Sequence, residues 1–214
     1  MNTAKLTLVD YGAGNLPSVE RALERLGVET QRAATPEALA GSRAIVLPGV
    51  GHFGQLMRTL EERGLRGPLR DAIARGTPFL GICLGLQALF VSSEEDPKQS
   101  GLGIVSGSVQ PLPKTAKLPH MGWNQLRRLR PSVLLRGVRD DAYFYFAHSF
   151  AALDAPNAAV AVCDHGACFV AALEQENVLA VQFHPEKSGD PGALVLGNFV
   201  EFARAKTARE EARR

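Results

Sequence analysis

The strongest constraint on the fold is an alternation of short apolar segments and helix-like segments over the first two-thirds of the chain. Leu6 to Val9 and Pro78 to Ile82 are predicted strands, and helical apolar spacing follows the first of them. Strands alternating with helices are typical of a parallel sheet covered by helices. From Gly101 onward the pattern becomes more antiparallel, with a hairpin turn predicted at 164–166. We therefore predict an α/β fold with a mostly parallel central sheet, flanking helices and an antiparallel extension.

Three boundaries follow from local composition. The apolar run Ala44 to Leu47 is predicted to stop as a strand at the segment 48–51, which contains proline and two glycines. Gly85 to Phe90 is predicted to be helical. A closing helix is predicted from Asp190 to about Ala205, and the basic residues 207–214 are predicted to form a frayed tail.

Size and composition limit the class of protein. The 214 residues suit a single domain, assigned to 1–206, without an internal repeat or a dividing linker. Three cysteines in a chain of this length argue against a disulfide framework and favour a reducing, cytoplasmic location. A formal charge of +2 does not indicate nucleic acid or an anionic membrane as a partner. The run Met1 to Asp10 lacks signal-peptide character, and no apolar stretch approaches the ~20 residues of a membrane span.

The segment Gly81-Ile82-Cys83-Leu84-Gly85 carries the strongest chemical signal. A nucleophile between two glycines, after an apolar strand and before a helix, is the pattern of a nucleophile elbow with cysteine in place of serine. The glycines leave room for the sharp turn, and the helix N-terminus favours the thiolate of Cys83. The amide of Leu84 is then placed to receive an oxyanion. The alternative is a buried cysteine beside glycines that only allow close packing.

A candidate base and its partner occur together at His184-Pro185-Glu186, directly after the apolar run Val181-Gln182-Phe183. Residues two apart in extended backbone face the same side, so Glu186 can hydrogen-bond one ring nitrogen of His184. The other nitrogen would then face the proton of Cys83. An ordinary strand end with an exposed histidine and glutamate is the alternative for this motif taken alone.

These two motifs resemble those of the class I (triad) glutamine amidotransferases. The resemblance is closer still to the glutaminase subunits of imidazole glycerol phosphate synthases, and it spans nearly the whole chain. It rests on the segments Asp10-Tyr11-Gly12-Ala13-Gly14-Asn15, Leu47-Pro48-Gly49-Val50-Gly51, Pro119-His120-Met121-Gly122-Trp123-Asn124, Tyr145-Phe146-Ala147-His148-Ser149-Phe150 and Lys187-Ser188.

The resemblance implies roles that spacing alone does not. Hydrolysis of L-glutamine to glutamate and ammonia would use Cys83, His184 and Glu186 as the catalytic triad. The amide near Val50 would join that of Leu84 in the oxyanion hole. The implied glutamine pocket consists of Gly49, Gly51, Gln87, Glu95, His148, Ser149 and Phe150. Glu95 would bind the ammonium group, with the adjacent Glu94 as the alternative.

The resemblance also implies a partner. Ammonia must reach an acceptor before water protonates it, and a single domain leaves no space for a synthase site. The implied partner is a (β/α)8-barrel cyclase/synthase subunit that forms a heterodimer with this chain. It would make imidazole glycerol phosphate and aminoimidazole carboxamide ribotide in histidine biosynthesis. The implied interface or channel residues are Asn15, Trp123, Tyr145 and Lys187. No cofactor and no metal is expected.

Three other readings stay open from the sequence. The chain could be the glutaminase of another ammonia-using synthase, for example one that makes anthranilate, guanylate or pyridoxal phosphate. It could be a non-catalytic regulatory subunit that has kept the fold, although the intact Cys83, His184 and Glu186 argue against this. It could also be a peptidase built on the same elbow.

Overall fold

The computed structural model describes residues 5–212. The first four residues of the N-terminal run and the last two of the predicted tail, 213 and 214, lie outside this range. The strands are β1 (Leu6–Val9), β2 (Thr30–Ala33), β3 (Ile45–Gly49), β4 (Phe79–Cys83), β5 (Phe90–Ser93), β6 (Val105–Pro111), β7 (His120–Gln125), β8 (Arg127–Arg128), β9 (Tyr143–His148), β10 (Phe150–Ala152), β11 (Ala159–Asp164), β12 (Cys168–Gln175) and β13 (Val178–Val181). The helices are α1 (Leu16–Glu24), α2 (Pro36–Ala40), α3 (Phe53–Glu62), α4 (Arg66–Ala74), α5 (Leu84–Gln87) and α6 (Gly189–Glu211), with a short 3-10 helix at Pro185–Lys187.

An eight-stranded sheet forms the centre of the domain, in the order β2-β1-β3-β4-β13-β12-β11-β8. Its strands are parallel from β2 to β13 and antiparallel from there to β8. Two smaller sheets, β10-β6-β5 and β7-β9, lie outside it. This architecture confirms the predicted single α/β domain with an antiparallel extension.

Both faces of β1, β3, β4 and β13 are buried, which explains why these strands are mostly apolar without alternation, whereas the edge strand β2 is polar and partly exposed. In β4, Leu80 and Ile82 join one hydrophobic cluster together with residues of α1 and α6. Phe79 joins the second cluster, on the opposite face, with residues of α3 and α4. The helices therefore cover the sheet on both sides, and its carboxyl edge stays open for a site.

The prediction that β3 stops before Pro48 is wrong, because β3 continues through Pro48 and Gly49. The two residues pair with Ile82 and Cys83 of β4. On its other side, β3 pairs with β1 only at Ile45 and Val46. Pro48, which has no N–H to donate, therefore stands where β3 has a strand on one side only.

The predicted helix over 85–90 is also shorter than expected, because α5 ends at Gln87 and β5 begins at Phe90. The carbonyl groups of Ala88, Leu89 and Phe90 accept hydrogen bonds from the backbone of residues 102–105 instead of from a further helical turn. At the other end of the chain, α6 continues to Glu211, past its expected end near Ala205. Within residues 5–212, none of the helices combines the length and apolar character that crossing a membrane requires.

Candidate active site

Three neighbouring parallel strands bring the predicted catalytic residues to one edge of the sheet. In β4, Cys83 pairs with Gly49 of β3 on one side. On the other side, Ile82 pairs with Val181 of β13, so the residues that follow β13 lie beside Cys83. The loop after β3, the nucleophile and His184 thus meet at the carboxyl edge, where parallel sheets place their ligand sites.

The elbow has the strained geometry that its sequence predicts. Cys83 has φ 54° and ψ −106°, which few non-glycine residues adopt. A side chain on Gly81 would put its Cβ 2.7 Å from the carbonyl oxygen of Gly85. A side chain on Gly85 would collide with the carbonyl oxygen of Leu47. The two glycines are therefore required by close contact of three backbone segments, and this contact holds Cys83 in place.

His184 and Glu186 form a buried pair next to the nucleophile. The imidazole Nδ1 donates to Glu186 Oε1 at 2.8 Å, and both side chains are almost completely buried. The His184 ring lies close enough to Cys83 for the two to line the same cavity. Burial opposes the charged imidazolium, but hydrogen bonds and charge from Cys83 and Glu186 outweigh it and raise the pKa of His184 to about 10. The surroundings therefore favour the protonated form of His184.

Ser188 fixes the backbone of the base. Its hydroxyl donates to the carbonyl of His184 at 2.7 Å and accepts from the N–H of Tyr145 at 3.0 Å. The N–H of His184 donates to the carbonyl of Tyr145 at 2.8 Å. This closed ring of hydrogen bonds ties β9 to His184, so the imidazole is oriented from its backbone as well as by Glu186.

A cavity of about 160 Å³ opens in front of Cys83 and His184. Cys83 and His184 line it, together with both predicted oxyanion residues, Val50 and Leu84, whereas Glu186 lies behind His184. Six of the seven residues predicted for the glutamine pocket also line it: Gly51, Gln87, Glu95, His148, Ser149 and Phe150.

Gly49, the seventh predicted pocket residue, has a different position. A Cβ added there would lie 2.6 Å from Leu84 Cβ and 2.8 Å from the amide nitrogen of Gly85. Gly49 therefore lets β3 approach the elbow closely and does not line the cavity. A glycine in the Pro-Gly-Val-Gly loop looks the same in the sequence whether it lines a pocket or allows close packing of two backbone segments.

Glu95 connects the cavity to the loop that carries Val50. Its Oε2 accepts a hydrogen bond from the N–H of Phe53 at 2.7 Å and so caps the N-terminus of α3, which follows that loop directly. Glu94, the alternative, does not line the cavity; its N–H donates to Val109 in the neighbouring strand. Of the two, Glu95 has the position for contact with a bound amino acid.

The family model described as glutamine amidotransferase class-I matches residues 7–202. The chain belongs to the class-I glutamine amidotransferase family.

Relatives in the family carry a more specific name. A protein named imidazole glycerol phosphate synthase subunit HisH from Methanothermobacter thermautotrophicus is 48% identical over 200 residues, covering 94% of this chain and all of that protein. The protein of the same name from Deinococcus radiodurans is 46% identical over 199 residues, covering 91% and 92% of the two chains. The one from Thermococcus kodakarensis is 48% identical and covers 91% and 98%.

Solved structures agree on the fold. A crystal structure described as a glutamine amidotransferase superposes with a TM-score of 0.75 at 22% identity, covering 92% of this chain and 98% of that one. The structure of PurLQS from Thermotoga maritima matches with a TM-score of 0.74 at 20% identity, covering 94% and 99%. At this identity the likeness concerns the fold alone.

On this class-I amidotransferase, three of the four residues predicted for an interface lie together at the cavity mouth. The Trp123 and Tyr145 rings are 6.0 Å apart on paired positions of β7 and β9. Lys187 places its Nζ 5.5 Å from the centre of the Tyr145 ring and also lines the cavity. Asn15 is separate; it is the N-cap of α1, with φ 52°, and accepts a hydrogen bond from Ser18.

Two residues at the site were not predicted to have a role there. Gln182 is completely buried, and its Nε2 lies 3.6 Å from Cys83 Sγ. Its signal in the sequence is a polar residue inside an apolar strand end. Tyr11 places a buried hydroxyl against the backbone of Val50, without a hydrogen-bond partner among the described residues. Burial, together with the nearby Cys83, raises the pKa of Tyr11 to about 12.

Proposed function

We propose that this chain is the glutaminase subunit of an imidazole glycerol phosphate synthase and hydrolyses L-glutamine through Cys83, His184 and Glu186. The observation that carries the proposal is the buried Cys83-His184-Glu186 arrangement at the open edge of the sheet. The relatives named HisH, which match over more than nine-tenths of this chain, support the choice of synthase.

The first half of the reaction forms a thioester. The Cys83 thiolate attacks the γ-carboxamide carbon, and the carbonyl oxygen becomes an oxyanion held by backbone amides. His184, protonated as its raised pKa favours, passes its proton to the departing nitrogen. The carbon-nitrogen bond then breaks and ammonia leaves.

The second half regenerates the enzyme. Neutral His184 takes a proton from water, and the resulting hydroxide attacks the thioester carbon. The carbon-sulfur bond breaks, glutamate is released, and the proton stays on His184 opposite the thiolate. Glu186 keeps Nδ1 protonated throughout, so that Nε2 is the nitrogen that exchanges protons.

The cavity supports recognition of a free amino acid. A zwitterion needs an anionic group for its ammonium and hydrogen-bond donors for its carboxylate. Glu95 is the carboxylate in the cavity wall, whereas Lys187 is a cation at the mouth. We assign the ammonium to Glu95. The oxyanion is assigned to the amides of Leu84 and Val50.

The exposed aromatic ribbon beside the cavity supports a protein partner. The outward positions of β7 and β9 include Met121 at 65%, Trp123 at 56% and Tyr143 at 52% exposure. Apolar exposure of this kind marks interaction surfaces. We propose that a (β/α)8-barrel synthase subunit covers this ribbon and the cavity mouth in a cytoplasmic heterodimer. Such a partner would receive ammonia before bulk water protonates it.

Two measurements test the proposal. Glutamate release from the purified chain is expected to be slow alone and strongly stimulated by the barrel subunit with its ribonucleotide bound. An electrophilic glutamine analogue is expected to label Cys83, and Cys83→Ala is expected to abolish both labelling and hydrolysis. Cys168→Ala is the matched control, because Cys168 is the exposed thiol.

Each contrary result points to a different reading. Fast glutamine turnover without a partner would contradict the synthase subunit, and activity on peptides alone would favour a peptidase. A Cys83 that resists the analogue even in the complex would favour a regulatory subunit.

A further inference from the structure

Gln182 is a buried amide in direct contact with the nucleophile, and the mechanism above does not use it. It follows β13 immediately, and because Val181 pairs with Ile82, the next residue lies beside Cys83. Its side chain is 0% exposed, and Nε2 lies 3.6 Å from the Cys83 sulfur. An amide can present either its oxygen or its N–H groups, and only the N–H stabilises a thiolate, so its orientation decides its effect.

That orientation follows from a backbone carbonyl. The oxygen of Phe150 can only accept, and Gln87 Nε2 donates to it at 2.8 Å. Gln87 Nε2 also lies 3.2 Å from the atom of the Gln182 side-chain amide that points away from Cys83. Since Gln87 presents N–H groups there, Gln182 must present its oxygen to Gln87. Its nitrogen therefore faces the sulfur.

The hydrogen bonds of two histidines near the Phe150 carbonyl are consistent with this orientation of the Gln87 and Gln182 amides. His148 Nδ1 also donates to the Phe150 oxygen, at 3.0 Å, which leaves Nε2 to accept from His120 Nδ1 at 3.1 Å. His120 Nε2 then accepts from the Asn124 amide at 3.3 Å. Burial lowers the pKa of His148 to about 3 and that of His120 to about 4, so both rings are neutral and keep one accepting nitrogen.

We propose that Gln182 is part of the catalytic machinery: its side-chain amide donates a hydrogen bond to the Cys83 sulfur and stabilises the nucleophile as a thiolate. This inference rests on the proposed role of Cys83. A hydrogen bond to a charged acceptor is stronger than one to a neutral acceptor, so it favours the ionised sulfur. The short α5, four residues long, contributes little macrodipole of its own. The thiolate therefore depends on His184 and Gln182.

Other titratable groups also face the sulfur and must stay unchanged in a test. His184, with Glu186 behind it, approaches from the segment after β13. Tyr11 approaches from the end of β1, and its hydroxyl is close enough for Cys83 to affect its titration. His148, Glu95 and Lys187 line the cavity together with Cys83. Substitutions at Gln182 leave all six of these groups unchanged.

The experiment measures the rate at which iodoacetamide alkylates Cys83 as a function of pH, read on the Cys83 peptide by mass spectrometry. Gln182→Glu keeps an acceptor for Gln87 but replaces the donor by an oxygen. Gln182→Met removes donor and acceptor. Asn198→Leu is the control: Asn198 is a buried amide that donates to the carbonyls of Leu134 and Arg136 on another side of the fold.

We expect Gln182→Met to slow alkylation at pH 7 by about tenfold, the value of one hydrogen bond to a charged group. Gln182→Glu should slow it at least as much, because an ionised carboxylate beside the sulfur also opposes the thiolate. The midpoint of the pH profile should move upward by roughly one unit. In Gln182→Glu, kcat should fall while KM stays within about threefold, because Gln87 keeps its partner. Asn198→Leu should lower stability and leave the profile unchanged.

Profiles that match wild type in both folded Gln182 variants would overturn the proposal and leave Gln182 a purely structural amide. The proposed function fails separately, if Cys83→Ala still hydrolyses glutamine. In that case the alkylation profile would still report whether Gln182 bonds the sulfur.

Discussion

Two backbone segments flank the cavity, and they are held in different ways. In the elbow, Gly81 and Gly85 are pressed against neighbouring backbone, and Cys83 is only 5% exposed. In the loop after β3, Gly51 has φ +103° but open space around its Cα, and Val50 is 37% exposed. Close packing fixes Cys83, whereas among the described residues no neighbouring atoms confine the position of Gly51 in the same way. We expect a partner that changes the rate to act on the loop.

The largest effect is expected from Gly85→Ala, which breaks the packed segment. The new methyl group would meet the carbonyl of Leu47, which is held in the sheet, so backbone must move. The free energy of unfolding should fall by more than about 3 kcal/mol. Urea denaturation measures it. The control is Gly67→Ala in α4, where the added Cβ meets open space; equal stability of the two variants would contradict the packing argument.

Gly51→Ala should separate activity from stability in the loop. A side chain at φ +103° strains the backbone by about 1–2 kcal/mol, yet nothing obstructs it, so the fold should persist. The loop can relieve that strain by changing conformation, which would displace the amide of Val50. Glutamine hydrolysis should therefore fall by about tenfold or more. Gly76→Ala, with φ +92° and open space, should lose similar stability and keep its activity.

His148, in the cavity wall, and His120, which hydrogen-bonds to it, are both buried and should make the stability of the fold sensitive to acid. Both rings are neutral in the fold, with pKa values of about 3 and about 4, and titrate near their ordinary value once unfolded. The unfolded chain therefore binds more protons below pH ~6.5, and stability falls with falling pH. Between pH 7 and 5 we expect each of the two histidines to contribute a loss on the order of 2 kcal/mol. Urea titrations at both pH values should show a shallower loss in His120→Gln; an equal loss would contradict the assignment.

The smallest effect is expected from Tyr11→Phe, beneath the loop. The hydroxyl is buried and has no hydrogen-bond partner within residues 5–212, so its removal should leave the free energy of unfolding unchanged or raise it by less than about 1 kcal/mol. A loss of stability, measured by thermal or urea unfolding, would mean that the hydroxyl is paired in solution and helps to hold the loop.

Features that depend on a few neighbouring residues could be predicted from the sequence, whereas features that depend on long-range contacts could not. The elbow was predictable because Gly81, Cys83 and Gly85 carry their steric requirements within five residues. The pairing of His184 with Glu186 was predictable for the same reason, since both lie in one short segment. The parallel sheet followed from apolar strands that are buried on both faces.

Long-range contacts decided the features that were missed. Pro48 could stay in β3 because β1 had already ended beside it. The helix after Cys83 stopped early because residues 102–105 take the carbonyls of 88–90. The contact of Gln182 with the sulfur depends on Gln87, ninety-five residues earlier in the chain. None of these has a signature within a window of a few residues.

The late position of β13 in the sequence determines when the candidate site can assemble during synthesis. This strand inserts between β4 and β12, and the residues after it deliver Gln182, His184 and Glu186 to a sulfur 99 residues or more upstream. During synthesis the thiol therefore emerges long before its base. A nascent chain that ends before β13 holds the elbow without Gln182, His184 and Glu186, so the proposed triad cannot assemble in it.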